Sequence, residues 1–426
     1  MLFLLLSGLL LSTIDSGLAR DQSPPPAGAH PHPHPKDETA MVNQAQRPMF
    51  RYLIVLTICS VIGLQTWMVL FNNFAVEVAG LEGQEVGIIQ SIREIPGFLA
   101  LLAVYVLLLL REHTIAALAI ICLGVGTAAT GFFPDFSGLV ATTLLMSFGF
   151  HYYETMNHSL VLQYFEHSSS PLILGRLRSL GAVAAIATSG CIYLLDFVLD
   201  YRFIYLLLGS GVAAMGCWAL CQNPSLTELV PQRKKMILRR RYSLYYFLTF
   251  MAGARRQIFI AFSVFLLVKI FSFSVQEVIL LFMVNNLINA FFSPILGRAI
   301  VRFGERRILS LEYAGLIVVF LCYAFSESKL VVVLMYVLDH LLFTFSMAIR
   351  TYFQKIADPR DISPSMAVGF TINHIAAVVI PVLGGLIWMI DYRIPFIAGA
   401  IMSAISLTAV QKIPVFNRNN EPQATA

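Results

Sequence analysis

The chain has 426 residues, 58% hydrophobic and only 12% charged, with a mean hydropathy of +0.75. Soluble domains carry about 25% charged residues, so this composition excludes an ordinary soluble enzyme, a nucleic-acid-binding protein and a disordered chain. A polytopic membrane protein remains, and the net charge of +5 matters less than where the charges fall.

Residues 1–45 differ from the rest. Residues 1–11 form an apolar run too short to cross a bilayer, and residues 21–40 are rich in Pro, His and polar side chains. The start resembles a secretory signal without its basic n-region. We expect an over-extended gene start, with translation from Met41 or Met49; a true extra segment is the alternative. The His30-Pro-His32-Pro-His34 alternation is a weak metal-binding signal.

From Phe50 onward, twelve apolar runs of membrane-spanning length alternate with short polar breaks. The spans fall at 50–74, 86–110, 114–133, 138–164, 177–198 and 202–222, then at 244–270, 276–298, 308–326, 330–354, 365–390 and 394–413. Continuous apolar runs without two-residue alternation exclude a β-barrel, leaving helices. The six cysteines lie within apolar runs and no metal-type pair, so they read as small buried side chains.

The break between the sixth and seventh spans carries Arg233, Lys234, Lys235, Arg239, Arg240 and Arg241. It divides the chain into bundles at 46–222 and 244–415, joined by a linker at 223–243 and followed by a tail at 416–426. Counting Lys and Arg by side gives 19 on the linker side, Arg178 among them, against four opposite. The positive-inside rule then predicts cytoplasmic termini and linker. The halves also echo each other: Gln84-Glu85-Val86 against Gln276-Glu277-Val278, and Gln65 against Gln257, both 192 residues apart. Such recurrence indicates parallel duplication.

The loop after the eighth span reads Gly297-Arg298-Ala299-Ile300-Val301-Arg302-Phe303-Gly304-Glu305-Arg306-Arg307. With the six-plus-six plan, this resembles the major facilitator superfamily of secondary transporters over about residues 45–415. Gly297, Arg302, Gly304 and Arg306 match that family's loop motif. Val301 replaces its acidic residue, Glu305 replaces a basic one, and the first-half copy has decayed to Leu110-Arg111-Glu112-His113. The resemblance implies an all-α fold of twelve transmembrane helices in two parallel six-helix bundles. It also implies a central cavity and a gating role for the four matched residues.

Ionisable side chains at mid-bilayer cost about 2.5–3.5 kcal/mol and therefore face partners or water. Arg93, Glu94, Glu154, Arg255, Arg256, Asp339 and Arg350 stand out. In the second span Gln90, Arg93 and Glu94 fall on one helical face, just before Pro96. In the fourth, His151, Glu154, Thr155 and His158 form one stripe, suited to proton relay, to metal ligation or to plain helix packing. Arg255 and Arg256 lie deep in the seventh span, about 100° apart, so that one can bind an anion while the other pairs internally.

These residues predict a secondary transporter of a small, anionic organic solute, coupled to protons or another ion. Arg93, Arg255, Arg256, Gln257, Gln65, Asn285, Asn289 and Asn373 are the candidate substrate ligands. Glu94, His151, Glu154, His158 and Asp339 are the candidate proton carriers. No cofactor, resident metal, nucleic-acid partner or enzymatic activity is expected, and no phosphate-binding GxxxxGK[ST] loop occurs. The expected setting is a monomer in the lipid bilayer of a bacterial inner membrane. The alternatives are a divalent-metal (iron or zinc) transporter and a non-transporting sensor or scaffold built on a transporter fold.

Overall fold

The computed structural model describes residues 42–225, 232–233, 235–273 and 275–414. Residues 1–41, Lys234 and the tail 416–426 lie outside them, and with them the expected gene-start feature and the histidine alternation. Among the described residues the fold is all helix, without a strand.

Twelve rods run through it. In the first bundle α1 is Arg47–Val78, and α2 is assembled from Gly83–Ile92, Ile95–Phe98, Leu99–Leu102 and Ala103–Val106. Then follow α3 (Glu112–Thr130), α4 (Phe136–Tyr164), α5 (Ser170–Leu195) and α6 (Tyr201–Leu220). In the second, α7 joins Ser243–Ile258, a π-turn at Phe259–Ser263 and Val264–Lys269. It is followed by α8 (Val275–Phe303), α9 (Glu305–Phe325), α10 (Lys329–Ile356), α11 (Ile362–Trp388) and α12 (Arg393–Val410). Nine helices among the described residues are long and apolar enough to cross a membrane.

Without a hydrophobic drive between helices in lipid, small residues let the rods close up. In the first bundle α3 packs on α4 and α6; in the second α9 packs on α12 and α7 on α11. A Cβ at Gly124 of α3 would stand 2.3 Å from the Ala213 amide nitrogen of α6. Across the seam α5 meets α8, and α2 meets α11. A Cβ at Gly175 would lie 2.5 Å from the Ser293 carbonyl oxygen, and one at Gly297 2.5 Å from that of Pro171. Gly297 is thus a helix-contact position between the bundles, and Gly304, at φ +80°, makes the turn from α8 into α9.

The described part of the linker, from 235 to 243 with Arg233, lies on the second bundle. Asp361, at the start of α11 with its side chain 0% exposed, receives Arg239 Nε at 2.7 Å, Arg241 Nη2 at 3.3 Å, the Tyr242 hydroxyl at 2.8 Å, and Arg233. The Arg233 amide also donates to the Arg360 carbonyl at 2.8 Å. Basic residues read as topology signals therefore hold a buried carboxylate as well.

Candidate functional site

The second rod is broken where its charges lie. Pro96 removes a donor and disfavours helix just before it, and the helix stops at Ile92 and restarts at Ile95. Gln90 lies on the helix before this break, and Arg93 and Glu94 lie in it. The Arg93 carbonyl takes a hydrogen bond from Ser147 Oγ of α4, which satisfies an acceptor that the break leaves open. Arg93 Nη2 and Glu94 Oε1 pair at 2.5 Å, and the guanidinium lies 5.6 Å from the centroid of the Trp67 ring.

The fourth-rod stripe splits in two. His158 Nε2 sits 3.5 Å from Glu154 Oε2, while His151 turns to α11, its ring 4.9 Å from that of His374. Glu154 lies in electrostatic range of three arginines from three helices, Arg350, Arg178 and Arg256. Arg178 Cζ lies 5.5 Å from the Phe343 ring of α10, so it reaches from the first bundle onto the second. Arg256 in turn feels Glu94, Arg93 and Glu154. The seam thus gathers Arg93, Arg178, Arg256 and Arg350 against Glu94 and Glu154, four cations against two anions.

Adjacent Arg255 faces the other way, into the second bundle and off the seam. Its Nη1 donates to Ser406 Oγ at 2.5 Å, its Nη2 stands 3.9 Å from Glu312 Oε1, and its Cζ lies 4.4 Å from the Tyr313 ring centroid. Asp339 lies in electrostatic range of it. Arg255, Glu312 and Asp339 are each 3% exposed or less. They border a cavity of about one water's volume, with Arg256 and Ser346 at its edge. Two carboxylates lie near one buried guanidinium, and burying an unpaired charge is costly. The cluster is neutral only with one proton on the acids.

The remaining candidates act mainly between helices. Gln65 Nε2 donates to Ser189 Oγ at 3.0 Å, Asn289 Nδ2 meets His340 Nε2 at 2.7 Å, and Asn373 Nδ2 donates to the Thr249 carbonyl at 3.3 Å. Gln257 is buried beside the π-turn of α7, and Asn285 is 1% exposed with neither amide atom hydrogen-bonded. In the motif loop Arg306 bonds Gln411 at 3.1 and 3.0 Å, while Arg302 lies 5.2 Å from the centroid of its neighbour Phe303. The observed loop bonds stay within the second bundle.

Arg178 and Glu312 were not legible as site residues. Arg178 was counted with the linker-side charges; the signal for Glu312 is a carboxylate seven residues into the apolar α9.

Recorded hydrogen bonds between the bundles run from mid-depth to the linker end. Thr371 Oγ1 donates to the Phe98 carbonyl at 3.0 Å, and Gln354 Nε2 to the Leu162 and Phe165 carbonyls, each at 2.8 Å. At the opposite end, among the described residues, Tyr201 bonds Glu77 and Lys329 bonds Glu277, each at 2.8 Å and within one bundle.

Two parallel six-helix bundles with broken, charged helices facing a seam define a membrane carrier. The family model of the Major Facilitator Superfamily matches residues 53–360 and 245–425, and the chain belongs to that family. It is an integral membrane protein that transports small solutes. No curated protein matches the sequence. Among solved structures, the human organic anion transporter MFSD10 (TETRAN) is 12% identical, with a TM-score of 0.69, over 87% of this chain and 100% of that one. The transporter FucP in the outward conformation is 12% identical, with a TM-score of 0.69, over 88% and 100%. A bacterial homologue of the iron transporter ferroportin in an outward-facing state is 14% identical, with a TM-score of 0.67, over 87% and 99%. At such identities the likeness concerns the fold.

Proposed function

We propose that the protein moves a small organic anion by alternating access, coupled to protons. The observation that carries this reading is the seam set of four arginines and two carboxylates. Its two uncompensated positive charges suit a carboxylate- or phosphate-bearing solute, and the guanidinium fork matches either group. Arg178, Arg256 and Arg350 are the anion ligands. Proton coupling is assigned to the Glu312–Asp339 pair around Arg255, with Glu154 and His158 as the seam partner. Hydrogen bonds join the seam on the linker side, and the positive-inside count supports cytoplasmic termini.

The test is a proteoliposome uptake screen across organic anions, with and without a pH gradient. Arg256→Gln should abolish the uptake found, and Asp339→Asn should make it insensitive to the gradient. Uptake unchanged by Arg256→Gln refutes the anion site. The MFSD10 likeness agrees with an anion and the ferroportin-homologue likeness with a metal; parallel arms with ferrous iron and zinc separate the two.

A further inference from the structure

A second cluster at the seam is built for a different ligand. Glu94 of α2, His151 of α4 and His374 of α11 offer one ligand atom each, all within 4.8 Å of one another. One carboxylate and two imidazoles are hard-to-borderline donors of the type that hold zinc, leaving a fourth tetrahedral position open.

Three independent details prepare the donors. His374 Nδ1 lies 2.9 Å from the Phe370 carbonyl, so Nδ1 carries the proton and Nε2 keeps its lone pair. That second contact is what orients and polarises a metal-binding histidine. His151 is 3% exposed, and neither ring nitrogen has a hydrogen-bond partner. The Arg93 carbonyl lies near enough to act on the ring, but no hydrogen bond of full geometry joins them. A buried imidazole without a partner costs free energy that a bound cation would recover. Glu94 is held at one oxygen by Arg93, and a carboxylate has lone pairs to spare for a metal. Arg93 and Arg256 repel a cation there; the Trp67 face and Glu154 are alternative partners for them.

The placement sets the consequence. Two ligands come from the first bundle and one from the second, at the α2–α11 contact. A Cβ on Gly97 would stand 2.7 Å from His374 Nε2, so only glycine there lets the imidazole sit against α2. His374 is 2% exposed, and the site lies among packed rings, Phe370 being stacked on His374 at 4.6 Å. We propose that Glu94, His151 and His374 bind a zinc-class divalent ion that clamps the two bundles in this conformation, as a regulator and not as cargo. This rests on residues separate from the anion ligands and does not depend on the substrate's identity.

The test uses full-length protein in which His30, His32 and His34 are replaced by alanine, so that the N-terminal alternation does not report. Zinc titration by calorimetry should show one site, and zinc should raise the unfolding temperature. His374→Ala should remove both effects and His167→Ala neither, while His374→Cys, which restores a zinc ligand, should recover them. Cobalt(II) should give the intense visible bands of a tetrahedral site in the parent and not in His374→Ala. No saturable zinc binding in the parent, or binding unchanged in His374→Ala, overturns the site. Zinc accumulation inside sealed proteoliposomes overturns the clamp.

Discussion

Replacing Arg178 by glutamine tests the anion reading where the sequence alone would not have looked. The side chain is part-exposed, lies 5.5 Å from the Phe343 ring centroid and shares Glu154 with Arg256 and Arg350. Removing it lowers the seam's excess from two positive charges to one. A charge-assisted hydrogen bond contributes about 1.5–3 kcal/mol, and each 1.4 kcal/mol is about tenfold in affinity. The apparent KM for the transported anion should therefore rise roughly ten- to a hundredfold. Arg178→Lys keeps the charge but not the fork and should fall between the two. The assay is initial-rate uptake into proteoliposomes at several solute concentrations, with protein orientation and amount matched. A KM unchanged in Arg178→Gln refutes the assignment, and so does a loss of maximal rate alone, because an anion ligand must act on binding.

Three further outcomes follow from the packing and the linker. Asp361→Asn removes the charge that gathers Arg233, Arg239 and Arg241; it should cost about 1–3 kcal/mol, read as a lower unfolding temperature of detergent-purified protein. Gly297→Ala puts a methyl 2.5 Å from the Pro171 carbonyl and should cost about 1–3 kcal/mol in the linker-side-closed state, raising the labelling rate of a cysteine placed at Gln354. The hydrogen bond from the Arg360 amide, with Arg233 beside it, holds Asp358 below its ordinary value of 3.8. A depressed folded value stabilises above the unfolded one and is lost as pH falls through the folded one. Linker docking, followed by proteolysis at the linker, should thus be full above about pH 4 and weaken below it, and Asp358→Asn should reduce that dependence.

The twelve rods were legible because bilayer thickness imposes their length, and expected and observed bounds differ mostly by a few residues. The fifth is the instructive exception. Its apolar run suggests a start at 177, but the helix starts at Ser170, carrying Arg176 and Arg178 inside it. At 1.5 Å per residue, Arg178 then sits about 12 Å along the rod, deep enough to face the seam. A hydropathy boundary marks where apolar residues begin, whereas a helix at a charged seam can continue through charged ones. Direction is hidden for the same reason. Arg255 and Arg256 are equivalent in a one-dimensional reading, and only the packing of α9 and α12 behind α7 sends the first to Glu312 and Ser406 and the second to the seam. His151 and Glu154 likewise share a stripe, yet one meets α11 and the other α5 and α10. Helical spacing shows which residues lie on one face. Which neighbour meets each stretch of that face depends on helix crossings, set by contacts such as Gly97 against His374 and Gly175 against Ser293. Those contacts join residues hundreds of positions apart in some cases, so no local pattern announces them. The charges on α2, α4 and α7 acquire distinct roles only through the rods that cross them.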